Sequence, residues 1–220
     1  MQKFDTPAPI TAVLDIPAGR IQLIAADRAD TTVEVRPASP GSSRDARTAQ
    51  QTTIGYAGGV LRITAPEPGR LTGRSGSVEV TVQMPAGSGV QATAASAELR
   101  GVGRLGDIAF DGAYRHIKID EAQSVRLTAT DGDVRVGRLG GPAQISTARG
   151  NITIAEAVRG TVVLTTQSGD ITVTAAPGVS AALDAGTGLG RITNALKNDG
   201  TAGLDIRATT THGNITARSH

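Results

Sequence analysis

One short block recurs along the second half of the chain and constrains everything else. It reads Asp131-Gly132-Asp133-Val134-Arg135-Val136, then Arg149-Gly150-Asn151-Ile152-Thr153-Ile154, Ser168-Gly169-Asp170-Ile171-Thr172-Val173 and His212-Gly213-Asn214-Ile215-Thr216-Ala217. A degenerate copy, Leu189-Gly190-Arg191-Ile192-Thr193, sits between the last two, so the glycine spacings are 18, 19, 21 and 23. Upstream, Asp111-Gly112 stands 20 residues before Gly132, and Val102-Gly103-Arg104-Leu105-Gly106 recurs as Val136-Gly137-Arg138-Leu139-Gly140. A period of about 20 residues with one turn glycine per unit is the mark of a solenoid. A single coil of that size cannot bury its own inward side chains. Stacked on a neighbour at about 4.8 Å, it shares a continuous core and completes its backbone hydrogen bonds.

The rest of the pattern is that of strands. Val78, Val80, Val82 and Met84 alternate with polar residues, as do Val33 and Val35 and then Leu61 and Ile63. Pro37 to Ala46 and Pro66 to Gly76 read as loops, and no stretch of helical length keeps an apolar 3.6-residue period. The expected fold is all-β: a single-chain β-solenoid (β-helix-like) of about 18–23-residue coils. Residues 1–89 are expected to form a β-rich unit that caps the repeats of 90–220 and is continuous with them, since an open end exposes unpaired N–H and C=O groups. Gly112, Gly132, Gly150, Gly169, Gly190 and Gly213 are the expected turn glycines. The Asp or Asn that follows most of them can bond neighbouring backbone amides. Valine at Gly132 or Gly169 is expected to destabilise strongly.

Composition removes several function classes. The chain has no cysteine, so thiolate zinc sites, disulfide scaffolds and cysteine catalysis are excluded. Its three histidines, His116, His212 and His220, lie far apart and match no triad or metal-ligand spacing. Only four aromatics (Phe4, Tyr56, Phe110, Tyr114) argue against base stacking, and 19 of the 22 basic residues are arginines that never form a run. No nucleic-acid partner is expected. No segment approaches 18 consecutive apolar residues, and Met1 to Pro7 has no apolar core of signal-peptide length, which reads as a cytoplasmic chain without a membrane span. Gly101-Val102-Gly103-Arg104-Leu105-Gly106 contains a Gly-x-Gly-x-x-Gly string, but without a following helix it lacks the N-terminus that holds a pyrophosphate.

The row Asp133, Asn151, Asp170 and Asn214, with Asp131 beside it, is the most suggestive constellation. Read chemically, it is a stacked polar ladder, a calcium site, or an acid–base pair two coils apart at roughly 10 Å. Read structurally, it is one turn repeated because the coil repeats. The structural reading is preferred, because calcium needs six or more oxygens and no Gly-Gly-x-Gly-x-Asp run supplies them. No catalytic, cofactor or metal residues are therefore assigned.

The Ser-Gly-Asp-Ile-Thr-Val repeat resembles the bacterial putative-adhesin family of β-strand-repeat proteins, a domain family of unknown function. Phe4-Asp5-Thr6-Pro7, Val33-Glu34-Val35-Arg36-Pro37, Gly103-Arg104-Leu105-Gly106, Gly190-Arg191-Ile192-Thr193-Asn194 and His212-Gly213-Asn214-Ile215-Thr216 are similar to its cytosolic actinobacterial branch. The resemblance spans nearly the whole chain and implies a β-solenoid without established enzyme activity. The expected function is a non-enzymatic interaction or assembly module, meeting a protein partner or another copy through coil faces or solenoid ends. Two alternatives are a surface adhesin binding carbohydrate or protein, and a glycan-lyase or hydrolase using Asp131, Asp133 and Asp170 with Arg135 or Arg149.

Overall fold

A computed structural model describes residues 1–66, 76–114 and 116–220. The chain divides into two compact units, Met1–Arg115 and His116–His220, and among the described residues it is all-β apart from one short helix.

The first unit runs β1 (Gln2–Asp5), β2 (Thr11–Asp15), β3 (Ala18–Ala26), β4 (Asp30–Pro37), α1 (Ser43–Gln51), β5 (Thr53–Ala57), β6 (Val60–Thr64), β7 (Val78–Pro85), β8 (Gly89–Ala94) and β9 (Ser96–Tyr114). Two parallel ladders carry its core. In one, β2 lies between β6 and β8, and β8 pairs with the second half of β9, Val90 opposite Ile108. In the other, β3 lies between β7 and the first half of β9, so that Ile21 faces Val80 on one side and Leu99 on the other. These three side chains are fully buried, and strict alternation along β7 and β8 sends their polar neighbours outward. Antiparallel strands border both ladders: β4 on β7, β1 on β4, and β5 on β6. The coil that comes first in sequence, β2–β3, is thus an interior rung.

Helix α1 corrects the expectation of a loop at 37–46. Ser42 caps it by accepting the Asp45 N–H at 3.2 Å, and its low apolar content hid it from a periodicity search. The other expected loop, Pro66 to Gly76, falls at 67–75 outside the described residues. The change of pattern near residue 89–90 falls at the start of β8, inside the first unit.

The second unit runs β10 (Ile117–Asp131), β11 (Val134–Leu139), β12 (Ala143–Arg149), β13 (Ile152–Ala157), β14 (Gly160–Ser168), β15 (Ile171–Ala175), β16 (Ala181–Leu189), β17 (Ile192–Ala195), β18 (Leu204–His212) and β19 (Ile215–Ser219). Its strands pair with one another in parallel. One ladder stacks Ile117, Val134, Ile152, Ile171, Ile215 and Ile192 as register partners, in that order. The other stacks Leu127, Ile145, Leu164, Ala208 and Ala185. Both orders depart from the sequence at the same place. The coil β18–β19 is threaded between β14–β15 and β16–β17, so the coil that precedes it in the chain lies at the edge.

Candidate functional site

The Gly-Asx corner of the second unit is where repeat chemistry and geometry meet. At each corner the glycine adopts positive φ, for example +132° at Gly150 and +155° at Gly169. The reason is close stacking: a Cβ on Gly169 would stand 2.0 Å from the Gly150 carbonyl oxygen. Gly112 differs from the other glycines expected at turns. It lies within β9, where a Cβ would collide with the Phe110 ring at 2.3 Å.

The residue after each corner glycine ties its rung to the next. Asp133 Oδ1 accepts the Asn151 N–H at 2.9 Å, Asn151 Oδ1 accepts the Asp170 N–H at 2.8 Å, and Asp170 Oδ1 accepts the Asn214 N–H at 2.7 Å. The row ends where Asn214 Oδ1 accepts the Arg191 N–H at 3.0 Å. Backbone bonds return the link: Val134 N–H donates to Asn151 O, Ile152 to Asp170 O and Ile171 to Asn214 O, each at 2.9 Å. Buried threonines close the corner from inside, with Thr166 donating to Gly150 O at 3.2 Å and Thr210 to Gly169 O at 3.0 Å.

In space the row reads Asp, Asn, Asp, Asn, Arg. Carboxylates therefore never occupy adjacent rungs, where a spacing near 4.8 Å would set like charges against each other. Asp133 and Asp170 stand two rungs apart, and each has one oxygen occupied by a backbone N–H. Asp131 sits apart from the row, in an exposed ion pair with Arg149 at 3.0 Å. Arg135 lies one rung from Lys118 and Thr153 on the outer face of its ladder. Among the described residues no group of three or more His, Cys, Asp or Glu could hold a metal ion. His116, His212 and His220 are all exposed.

Three polar arrangements were not legible beforehand, because each draws in at least one partner distant in sequence. Arg20 reaches Glu79 at 3.6 Å and Glu98 at 3.2 Å across the β7–β3–β9 rungs. Arg138 is likewise flanked by Glu121 and Glu156 on β10 and β13. In the first unit, Arg28 and Lys3 converge on Asp30 at 2.7 and 3.0 Å. Their hydrogen bonds, Arg28 first, hold the Asp30 carboxyl down from 3.8 to about 2.

These repeats match one family model over residues 12–218, that of Toastrack DUF4097. The chain belongs to the Toastrack DUF4097 family. A solved structure shares the Toastrack fold at low identity: a putative adhesin from Bacteroides fragilis NCTC 9343 is 15% identical, with a TM-score of 0.56 over 98% of this chain and 95% of that one. A putative cell adhesion protein from Clostridium sporogenes ATCC 15579 is 11% identical, with a TM-score of 0.44 over 100% of this chain and 98% of that one. No curated protein matches this Toastrack chain. No helix among its described residues is long and apolar enough to cross a membrane.

Proposed function

We propose that this Toastrack chain is a non-enzymatic β-solenoid, with coils of about 18–23 residues, that acts as a cytoplasmic protein-interaction module. Registers in the second unit support that coil length: Val134, Ile152 and Ile171 are stacked partners 18 and 19 residues apart, and Ile192 and Ile215 are 23 apart. The observation that carries the interaction reading is the outer face of the β10–β12–β14–β18–β16 ladder. Arg126, Gln144, Val163, Arg207 and Asp184 form one row across it, and Thr128, Ser146, Thr165, Thr209 and Gly186 the next. Rungs lie about 4.8 Å apart and successive outward residues about 6.8 Å, so the face is a regular grid of mainly polar groups, with long Arg and Gln side chains in one row and hydroxyls in the next. A small molecule is held best by a concavity, whereas a flat grid suits the surface of another protein. The Asp/Asn row supports the non-enzymatic part, because each member spends one side-chain oxygen in joining rungs.

The test is affinity capture from the source cell's soluble and envelope fractions, with wild type and an Arg126→Glu/Arg207→Glu variant in parallel. A stoichiometric protein partner in the soluble fraction, lost with the variant, is the expected result. Recovery mainly from the envelope with attached glycan would replace this reading with a surface adhesin, in keeping with the name of the Bacteroides fragilis relative. An enzymatic activity that disappears in a folded Asp133→Asn/Asp170→Asn variant would overturn it.

A further inference from the structure

The coil β16–β17 binds its neighbour with the same bonds that the neighbour uses on the coil beneath. Coil β18–β19 is held on β14–β15 by Gly169 N–H to His212 O and Ile171 N–H to Asn214 O, each at 2.9 Å, and by Thr210 Oγ1 donating to Gly169 O at 3.0 Å. Coil β16–β17 is held on β18–β19 by Gly213 N–H to Leu189 O and Ile215 N–H to Arg191 O, again at 2.9 Å, and by Thr187 Oγ1 donating to Gly213 O at 2.9 Å. The side chains match as well. Leu183, Ala185 and Thr187 on β16 are register partners of Ile206, Ala208 and Thr210 on β18, and Ile192 is the partner of Ile215. The surface of β14–β15 therefore fits either coil.

We infer that the two coils exchange seats: a minor, sequential stack, with β16–β17 directly on β14–β15 and β18–β19 outermost, exists beside the threaded one. The connections permit both orders. Residues 176–180 span two rungs in the threaded stack, about 10 Å, and one rung in the sequential stack, while residues 196–203 span one rung in either. The strand starts also find partners both ways. Gly160 N–H donates to Gly203 O and Ala181 N–H to Lys197 O; in the sequential stack the same donors meet Ser180 O and Gly203 O. Arg191 favours the threaded order, because its side chain alone in the Asp/Asn row has no acceptor. At the edge it needs none, but between Asp170 and Asn214 it would leave the Asn214 N–H to water. Exchange also alters the outer face. Arg207 lies three rungs from Arg126 in the threaded stack, about 14 Å, and four rungs away in the sequential one, about 19 Å. A partner spanning both arginines would hold the chain in the threaded order. That consequence rests on the interaction-module reading, whereas the exchange itself does not.

Disulfide trapping in the full chain, which has no cysteine of its own, tests the exchange. In Thr165→Cys/Gly186→Cys the two positions stand two rungs apart in the threaded stack, beyond the limit of about 7 Å between Cα atoms, and on adjacent rungs in the sequential one. Ser146→Cys/Gly186→Cys is the control, since neither order brings its positions onto adjacent rungs. Under mild oxidation without denaturant, the first pair should close within the chain at least tenfold faster than the control; its shorter loop alone accounts for about threefold. Adding Arg191→Asn, which gives the Asn214 N–H an acceptor in the sequential stack, should speed closure several-fold more. In the closed form Ile192→Ala should lower the melting temperature more than Ile215→Ala does. A closure ratio below tenfold, or a closed form that no longer melts cooperatively, overturns the exchange. None of these readouts involves a partner, so their failure is separate from a failure of the Arg126/Arg207 capture.

Discussion

Asn214 donates its backbone N–H to Asp170 Oδ1 at 2.7 Å, although 44 residues separate them. The Gly190-Arg191 copy that lies between them in sequence is displaced one rung outward, onto Asn214.

That order makes opposite demands on two isoleucines of the same ladder. Ile215 is 1% exposed and sandwiched between Ile171 and Ile192, whereas Ile192 is 42% exposed at the edge. Ile215→Ala should cost about 2–5 kcal/mol in denaturant unfolding, and Ile192→Ala about 1 kcal/mol or less. Sequential stacking would reverse the two.

The corner glycines should separate by what a methyl group would meet. Gly169→Ala places Cβ against the Gly150 carbonyl at positive φ, and strain plus overlap should cost about 2–6 kcal/mol. Gly186→Ala, with nothing within 4 Å of its Cβ, should stay within about 0.5 kcal/mol. Thermal melts of the pair check both.

Position 170 needs an acceptor and not a charge. Asp170→Asn should preserve stability, since Asn151 and Asn214 already fill equivalent places. Asp170→Ala should lose about 1 kcal/mol by leaving the Asn214 N–H to water. Equal losses for both variants would show that the carboxylate charge itself matters.

Asp30 gives a pH signature. Its carboxyl is held at about 2, below its ordinary 3.8, so its contribution is present above pH 4 and lost as pH falls through 2. Wild type should lose stability over that window, while Asp30→Asn starts lower at neutral pH and changes less. Urea midpoints at about pH 2, 3, 4 and 7 measure this.

The strand content could be read from the sequence, because alternation is a local rule, and the repeated Gly motifs at 132, 150, 169, 190 and 213 are positions where the glycine takes positive φ. The threading could not. Ile192 and Ile215 sit in near-identical motifs, and nothing local says which will be inside. Only the full set of registers decides that Asn214 sits beside Asp170. Helix α1 escaped for a different reason: its nine residues, SRDARTAQQ, bury only Thr48 and carry no apolar stripe. The Arg20 and Arg138 clusters depend on partners brought together by stacking, up to 78 residues apart for Arg20 and Glu98.

The placement of β18–β19 inside the stack also has a consequence in time. Synthesis delivers 181–195 before 204–219, yet the earlier segment has no permanent seat until the later one arrives to form it. A nascent chain that docked β16 directly on β14 would have to release it again. The later-made of these two coils therefore works as a keystone, and its seating is an insertion rather than the addition of one more layer.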